Sequence, residues 1–243
     1  MSAGLSARAY LNSPSVEKSL RIFNFKADWS LNTLRITEIF YSIQGESRSV
    51  GLPTVFVRLT GCPLRCTYCD SAYAFSGGEI KSMEELLREV SKYRTPYVTV
   101  TGGEPLAQKA CLGFMSLLCD AGYEVSLETS GALDVSQVDE RVIKVMDLKT
   151  PSSGELERNL YSNLDYLSSK DQIKFVIGNR EDYLWAKEVL MTRLSAVSSE
   201  VLFSPSCGEL DPAELADWII ADQLQVRFQL QLHKILWGDQ PGR

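Results

Sequence analysis

Histidine is almost missing from this chain: His233 stands alone among 243 residues. A structural zinc site needs four ligands, commonly two Cys-x2-Cys pairs or a mixture of Cys and His. With one remote histidine and no second cysteine pair, this chain suits such a site poorly. Clustered positive charge is lacking too. Lys and Arg number 25 against 31 Asp and Glu, a formal net charge of −6, which argues against a general nucleic-acid surface or an anionic-membrane binder. No stretch of about 18 apolar residues occurs, so no membrane-spanning helix is expected. The opening MSAGLSARAYLNSPSVEKSLRIF has no continuous apolar run, which argues against a secretory signal. Its Ser/Arg content ahead of the first acid, Glu17, has a trace of transit-peptide character. A plain N-terminal extension is the simpler reading, with a cytoplasmic location. Internal repeats, low-complexity tracts and convincing linkers are also absent. The expected organisation is an extension over residues 1–35 and one domain over residues 36–243.

What is present begins with an apolar share of 44%, enough for a sizeable core. The six cysteines are unevenly spread: Cys62, Cys66 and Cys69 fall within eight residues, while Cys111, Cys119 and Cys207 are scattered. A disulfide framework would distribute its cysteines in a smaller, secreted chain, so the tight trio points to metal. Cys111 and Cys119 sit in the apolar run ACLGFMSLLCD, where thiols act as small core residues. Cys207, in SPSCGEL, has no visible partner and no assigned role.

Strand-like runs rich in β-branched and aromatic residues occur at 54–59 (TVFVRL), 97–101, 124–129, 142–148, 172–177 and 201–204. Several are nearly continuous in apolar character, as parallel strands covered on both faces are. Helices fall between them. Ser82 with Glu85 forms a capping box ahead of Met83, Leu86, Leu87 and Val90, which share one helical face. Asp211-Pro212 and Asn179 open two more helices. Alternating strands and helices predict an α/β fold of right-handed βαβ units with a mainly parallel sheet. Six strands suit either a partial barrel or an open doubly wound sheet.

The chemistry centres on GCPLRCTYCD, where Cys62-x3-Cys66-x2-Cys69 directly follows the strand TVFVRL. Three thiolates on a short loop can hold three irons of a [4Fe–4S] cube and leave the fourth iron without a cysteine. Such an open iron can bind a substrate. The loop also sits at the carboxyl end of a strand, where α/β folds carry their active sites.

This spacing resembles the radical S-adenosylmethionine (SAM) superfamily, with Tyr68 before the last cysteine as is common there. VTVTGGEPL at the end of the next strand looks like that family's GGE motif, whose glycines allow a ligand to approach the main chain. The resemblance implies a partial (β/α)6-type barrel in which SAM chelates the open iron. Electron transfer from the reduced cluster then cleaves SAM to a 5′-deoxyadenosyl radical.

A narrower likeness covers residues 36–243. EIFYSIQGE, FVRLTGCPLRCTYCDS, TGGEP, LETSG, DLKTPSSG and QLHKILWG together resemble the 7-carboxy-7-deazaguanine synthase family. That implies a lyase acting on a pterin, 6-carboxy-5,6,7,8-tetrahydropterin, with ring contraction and loss of ammonia in queuosine and 7-deazapurine biosynthesis. It also implies Mg²⁺ on the Ser71 hydroxyl, a homodimer, and a flavodoxin or ferredoxin reductant. By position, Ile43, Gln44, Gly45 and Thr101 would face the pterin, and Arg58 would bind its carboxylate. SAM would meet Tyr68, Cys69, Asp70, Gly103, Asp147, Leu148 and Lys149, with Glu128 near its ribose. Lys149 ends a strand as a buried-looking cation in need of an anion, which the SAM carboxylate would supply. His233, a lone histidine by an apolar tail, suits a structural role; its LHK setting implies contact with substrate. Ser204 stands where a family glutamine is expected, and Thr150-Pro151 departs from the family's proline pattern. Two other readings compete: a glycyl-radical-enzyme activase, which shares the cysteine spacing, and a non-catalytic zinc or thiol binding module.

Overall fold

A computed structural model describes residues 32–238, 240 and 242. The N-terminal extension expected over residues 1–35 lies almost wholly outside them. All six expected strands form: β2 (Pro53–Leu59), β4 (Tyr97–Gly102), β5 (Glu124–Thr129), β6 (Ile143–Asp147), β7 (Gln172–Ile177) and β8 (Glu200–Pro205). Three more were not expected: β1 (Thr33–Ile43), β3 (Glu79–Ser82) and β9 (Arg227–Phe228). The described strands make one sheet in the order β3-β1-β2-β4-β5-β6-β7-β8-β9. From β2 to β9 every pairing is parallel; β1 runs antiparallel to both β2 and β3. The result is the partial parallel barrel, with an antiparallel flank added at one side.

The helices begin where their caps place them. Ser82 and Glu85 complete the capping box of α1 (Met83–Val90), with Met83, Leu86, Leu87 and Val90 buried. Helix α2 (Ala110–Asp120) buries Cys111 and Phe114. The Asn179 side chain accepts from Asp182 N at the start of α3 (Arg180–Thr192), and Asp211 does the same for Ala213 N at α4 (Pro212–Ala221). A short α5 (Leu232–Trp237) follows β9.

Strand alternation sorts the two faces. Val55, Val57, Leu59, Val98, Val100, Val125 and Leu127 pack outward with α1 and α2. Ile173, Phe175, Ile177, Val201 and Phe203 pack outward against α3 and α4. The inward positions are instead largely polar: Arg58, Thr99, Thr101, Ser126, Glu128, Asp147 and Lys174. The strands are thus covered on both faces, but by apolar helices on one side and by a polar interior on the other.

The amino ends of β6 and β7, opposite the cysteines, are joined by a buried ion pair. Asp171 accepts from Lys144 N and Ser168 N at 2.7 and 2.8 Å, and Lys144 Nζ lies 3.3 Å from its Oδ2. Removing one partner of such a pair strands the other charge in the interior. Asp171→Ala is therefore expected to destabilise the fold by about 3–5 kcal/mol, measured by chemical denaturation. A loss below about 1 kcal/mol would show that Lys144 finds other compensation.

Candidate active site

Loops at the carboxyl ends of the parallel strands, the turn after β1 and the tail around α5 enclose a cavity of about 730 Å³, a size that suits small molecules. The loop after β2 brings Cys62, Cys66 and Cys69 to its wall, all partly exposed. Burial raises the thiol pKa of Cys62 and Cys66. Arg65 braces the loop by donating from one guanidinium nitrogen to the carbonyls of Cys62 and Leu64 at 2.8 and 2.6 Å.

The TGGEP segment after β4 packs its backbone directly against this loop. Gly103 N donates to the Leu59 carbonyl at 3.2 Å and Glu104 N to that of Gly61 at 2.8 Å. A Cβ on Gly103 would overlap the Gly61 carbonyl and lie 2.9 Å from Cys62 Cβ. Glu104 is fully buried, and its carboxylate accepts from Thr129 Oγ1, Ser130 N, Ser130 Oγ and Leu106 N. That carboxylate ties the β4 loop to the β5 loop.

Charge fills the inner wall. Lys174 Nζ contacts Glu46 and lies 3.5 Å from Asp147 Oδ1, while Lys149 Nζ lies 3.1 Å from Asp147 Oδ2. Burial opposes the charge on both lysines, but Asp147 together with other negative groups (Tyr68 and Cys66 at Lys149, Glu46 and Glu128 at Lys174) holds each above the ordinary lysine pKa. Glu128 accepts from Thr101 Oγ1 at 2.8 Å and Gln44 Nε2 at 3.3 Å. Burial, aided by Glu46, raises its pKa. Arg58 pairs with Glu38 at 2.7 Å, and its guanidinium lies 5.8 Å from the ring centroids of both Phe40 and Tyr73. It is no solvated strand-edge charge.

Nearly every residue singled out from the sequence reaches this one cavity: Ile43, Gln44, Gly45, Arg58, the three cysteines, Tyr68, Asp70, Ser71, Thr101, Gly103, Glu128, Asp147, Lys149 and His233. Leu148 does not. Its side chain joins the outward core, and its N–H donates to the Lys174 carbonyl at 2.9 Å. Ser204 is buried beside β7 but does not line the cavity, and its Oγ has no hydrogen bond. Thr150 is buried and donates to the Val176 carbonyl at 3.0 Å. Glu46 and Lys174 escaped the sequence reading. The signal was available in QIKFVI, where Lys174 interrupts a largely apolar strand.

Comparison with known proteins decides among the readings. Residues 56–190 match the radical SAM superfamily. Over 208 residues the chain is 44% identical to 7-carboxy-7-deazaguanine synthase of Chlorobaculum tepidum, covering 84% of this chain and 94% of that protein. The enzyme of the same name from Koribacter versatilis is 43% identical over 219 residues, with 84% and 97% covered. The crystal structure of QueE from Escherichia coli superposes with a TM-score of 0.70 at 23% identity, over 91% of this chain and all of that one. The chain belongs to the 7-carboxy-7-deazaguanine synthase family of radical SAM enzymes.

Membership of this radical SAM lyase family implies a [4Fe–4S] cluster and SAM, and the residues present fit both. Among the described residues no three His, Cys, Asp or Glu side chains converge on a single ion. A cubane asks for something different: each thiolate takes its own iron, and three thiols on one loop facing one cavity supply that. For SAM, Lys149 offers a cation, Gly103 a wall without a side chain, and Asp147 Oδ1 a buried oxygen that accepts no hydrogen bond. Gly103→Ala should push the cluster loop outward, because backbone atoms cannot yield as a side chain can. Reconstituted iron should fall to about half or less of the wild-type content by colorimetric assay, an effect of about 1–3 kcal/mol on the loop. Undiminished iron and SAM binding would contradict the close packing described.

Proposed function

We propose that the chain converts 6-carboxy-5,6,7,8-tetrahydropterin to 7-carboxy-7-deazaguanine. Loss of ammonia alone balances substrate against product, so turnover needs no net oxidant, and SAM is regenerated. The observation that carries this reading is the gathering of Arg58, Gln44 and Thr101 with the three cysteines around one cavity, in a chain so similar to enzymes of that name.

When bound, the cluster and SAM supply abstraction of a hydrogen atom from the pterin. The chain does the positioning. Lys149, buried and charged, holds the SAM carboxylate, and the glycine wall at Gly103 lets the SAM amino group reach the main chain. Arg58 is set by Glu38 to present its remaining N–H groups to the pterin carboxylate. Its Nη1 already lies 3.5 Å from Ser71 Oγ, so the substrate carboxylate and a Mg²⁺ on Ser71 would share one corner. Ser71 Oγ donates to Asp70 Oδ1 at 2.8 Å, a bond that Mg²⁺ would replace with its own coordination. Gln44, buried and with its amide nitrogen held by Thr99 Oγ1 at 3.1 Å and Glu128 at 3.3 Å, offers its amide oxygen to the pterin edge. A flavodoxin or ferredoxin would deliver the electron. The working unit would be a homodimer in the cytoplasm; among the described residues no helix is long and apolar enough to cross a membrane.

Anaerobic turnover with SAM, Mg²⁺, reductant and the pterin should yield 7-carboxy-7-deazaguanine by mass spectrometry, and Cys66→Ala should yield none. Arg58→Lys should keep its iron and raise KM for the pterin about tenfold or more, since a lysine cannot make the paired bonds of a guanidinium. Release of 5′-deoxyadenosine without the deazaguanine would refute the substrate and leave the cluster chemistry standing.

A further inference from the structure

The turn that leaves β1 carries a backbone conformation its own residue does not favour. Ser47 has φ of 65°, the left-handed region where a side chain brings strain, and it is only 2% exposed. Such a conformation persists where its surroundings over-determine it. Within the turn Ser47 meets Ser49 and Val50; from outside it, both of its backbone groups are met by one side chain, Gln229, just beyond β9. Its Oε1 accepts from Ser47 N at 2.7 Å, and its Nε2 donates to the Ser47 carbonyl at 2.9 Å. The amide thereby imitates a neighbouring backbone in a two-bond rung. Gln229 is itself fixed, because its own N–H donates to the Phe203 carbonyl of β8 at 3.0 Å.

The same two segments meet again at the cavity wall. Leu232 N donates to the Gly45 carbonyl at 3.0 Å, and Gln231 Nε2 donates to Glu46 Oε1 at 2.8 Å. His233 lies so close to Gly45 that a Cβ there would overlap its ring. Residues 44–47 and 229–233 lie outside the sheet's strands. Glu46 and Gln44 tie the turn to the strands, and its contacts with residues 229–233 join the two segments into one surface holding Gln44, Gly45, Glu46 and His233.

We propose that Gln229 is a positioning residue for substrate binding, latching the turn at residues 44–47 to the His233 segment as one preformed wall. The proposal rests on the pterin reading of this cavity. Gln229 does not line the cavity; it acts through Ser47. A preformed wall spares the ordering cost that binding would otherwise carry. The cluster and SAM loops follow β2, β4 and β6, with their own anchors in Arg65 and Glu104. Glu46 keeps its own ion pair with Lys174, so loss of the latch weakens pterin binding and spares cofactor binding.

The test uses Gln229→Ala and Gln229→Met in the full chain; methionine keeps the length and packing while removing both hydrogen bonds. By hydrogen exchange, amides of residues 45–51 and 232–237 should lose protection together, with β2, β4 and β6 unchanged. In the reconstituted enzyme, KM for the pterin should rise about tenfold with kcat within about twofold, and iron content and SAM affinity should match wild type. Exchange that changes in one segment only, or in neither, overturns the latch. So does a folded variant with wild-type KM, or one that loses iron and SAM along with the pterin. Should alanine prevent folding, the methionine variant decides by the same criteria. Should the wild type make no deazaguanine, the pterin reading fails by itself, and the exchange data alone judge the latch.

Discussion

Lys174 Nζ sits on the inward face of β7 between the carboxylates of Glu46 and Asp147. Taking any one of these charges out of water alone would cost several kcal/mol. Together with Lys149 they alternate in sign, Glu46, Lys174, Asp147, Lys149, so each charge has an opposite neighbour, and Lys174 joins three segments of the chain. The constraint runs in both directions. The barrel interior can be polar only because the alternation is complete, and the turn after β1 must cross to β7 because Lys174 would otherwise lack Glu46. The helices on the far side carry the hydrophobic burial that holds the strands. The fold thus assigns stability to one face of each strand and chemistry to the other.

A second constraint fixes the loops beside the three cysteines. Gly102 and Gly103 let the β4 loop lie against the β2 loop with no side chain between them, and Glu104 fastens that arrangement to β5 through Thr129 and Ser130. Three loops from three adjacent strands are therefore tied together. The glutamate of the GGE motif is spent wholly on this fastening, whereas its glycines face the cavity. This division explains why a sequence of three residues can serve both the architecture and a ligand.

Much of this was legible in the sequence because the signals were local. Six strands and three capped helices followed from periodicity and caps, since Ser82, Asn179 and Asp211 act within one helical turn of themselves. The three cysteines announced a cluster through spacing alone. The strands β1, β3 and β9 were harder to read. β3 and β9 are only four and two residues long, and β1 carries Glu38 and Arg35 among its apolar residues because it is buried on part of its length only. Position alone does not tell which way a side chain turns: Leu148 packs into the core while its neighbours Asp147 and Lys149 line the cavity. Glu46 and Lys174 are 128 residues apart, and only the fold shows that each exists for the other.

The most direct measurement is electron paramagnetic resonance of the anaerobically reconstituted, reduced protein with and without SAM, joined to iron and sulfide analysis. The account predicts about four irons per chain and a reduced-cluster signal that changes when SAM binds the iron left without a cysteine. Cys66→Ala should lose that signal. A chain that takes up zinc in place of iron, or a cluster signal indifferent to SAM, would contradict it.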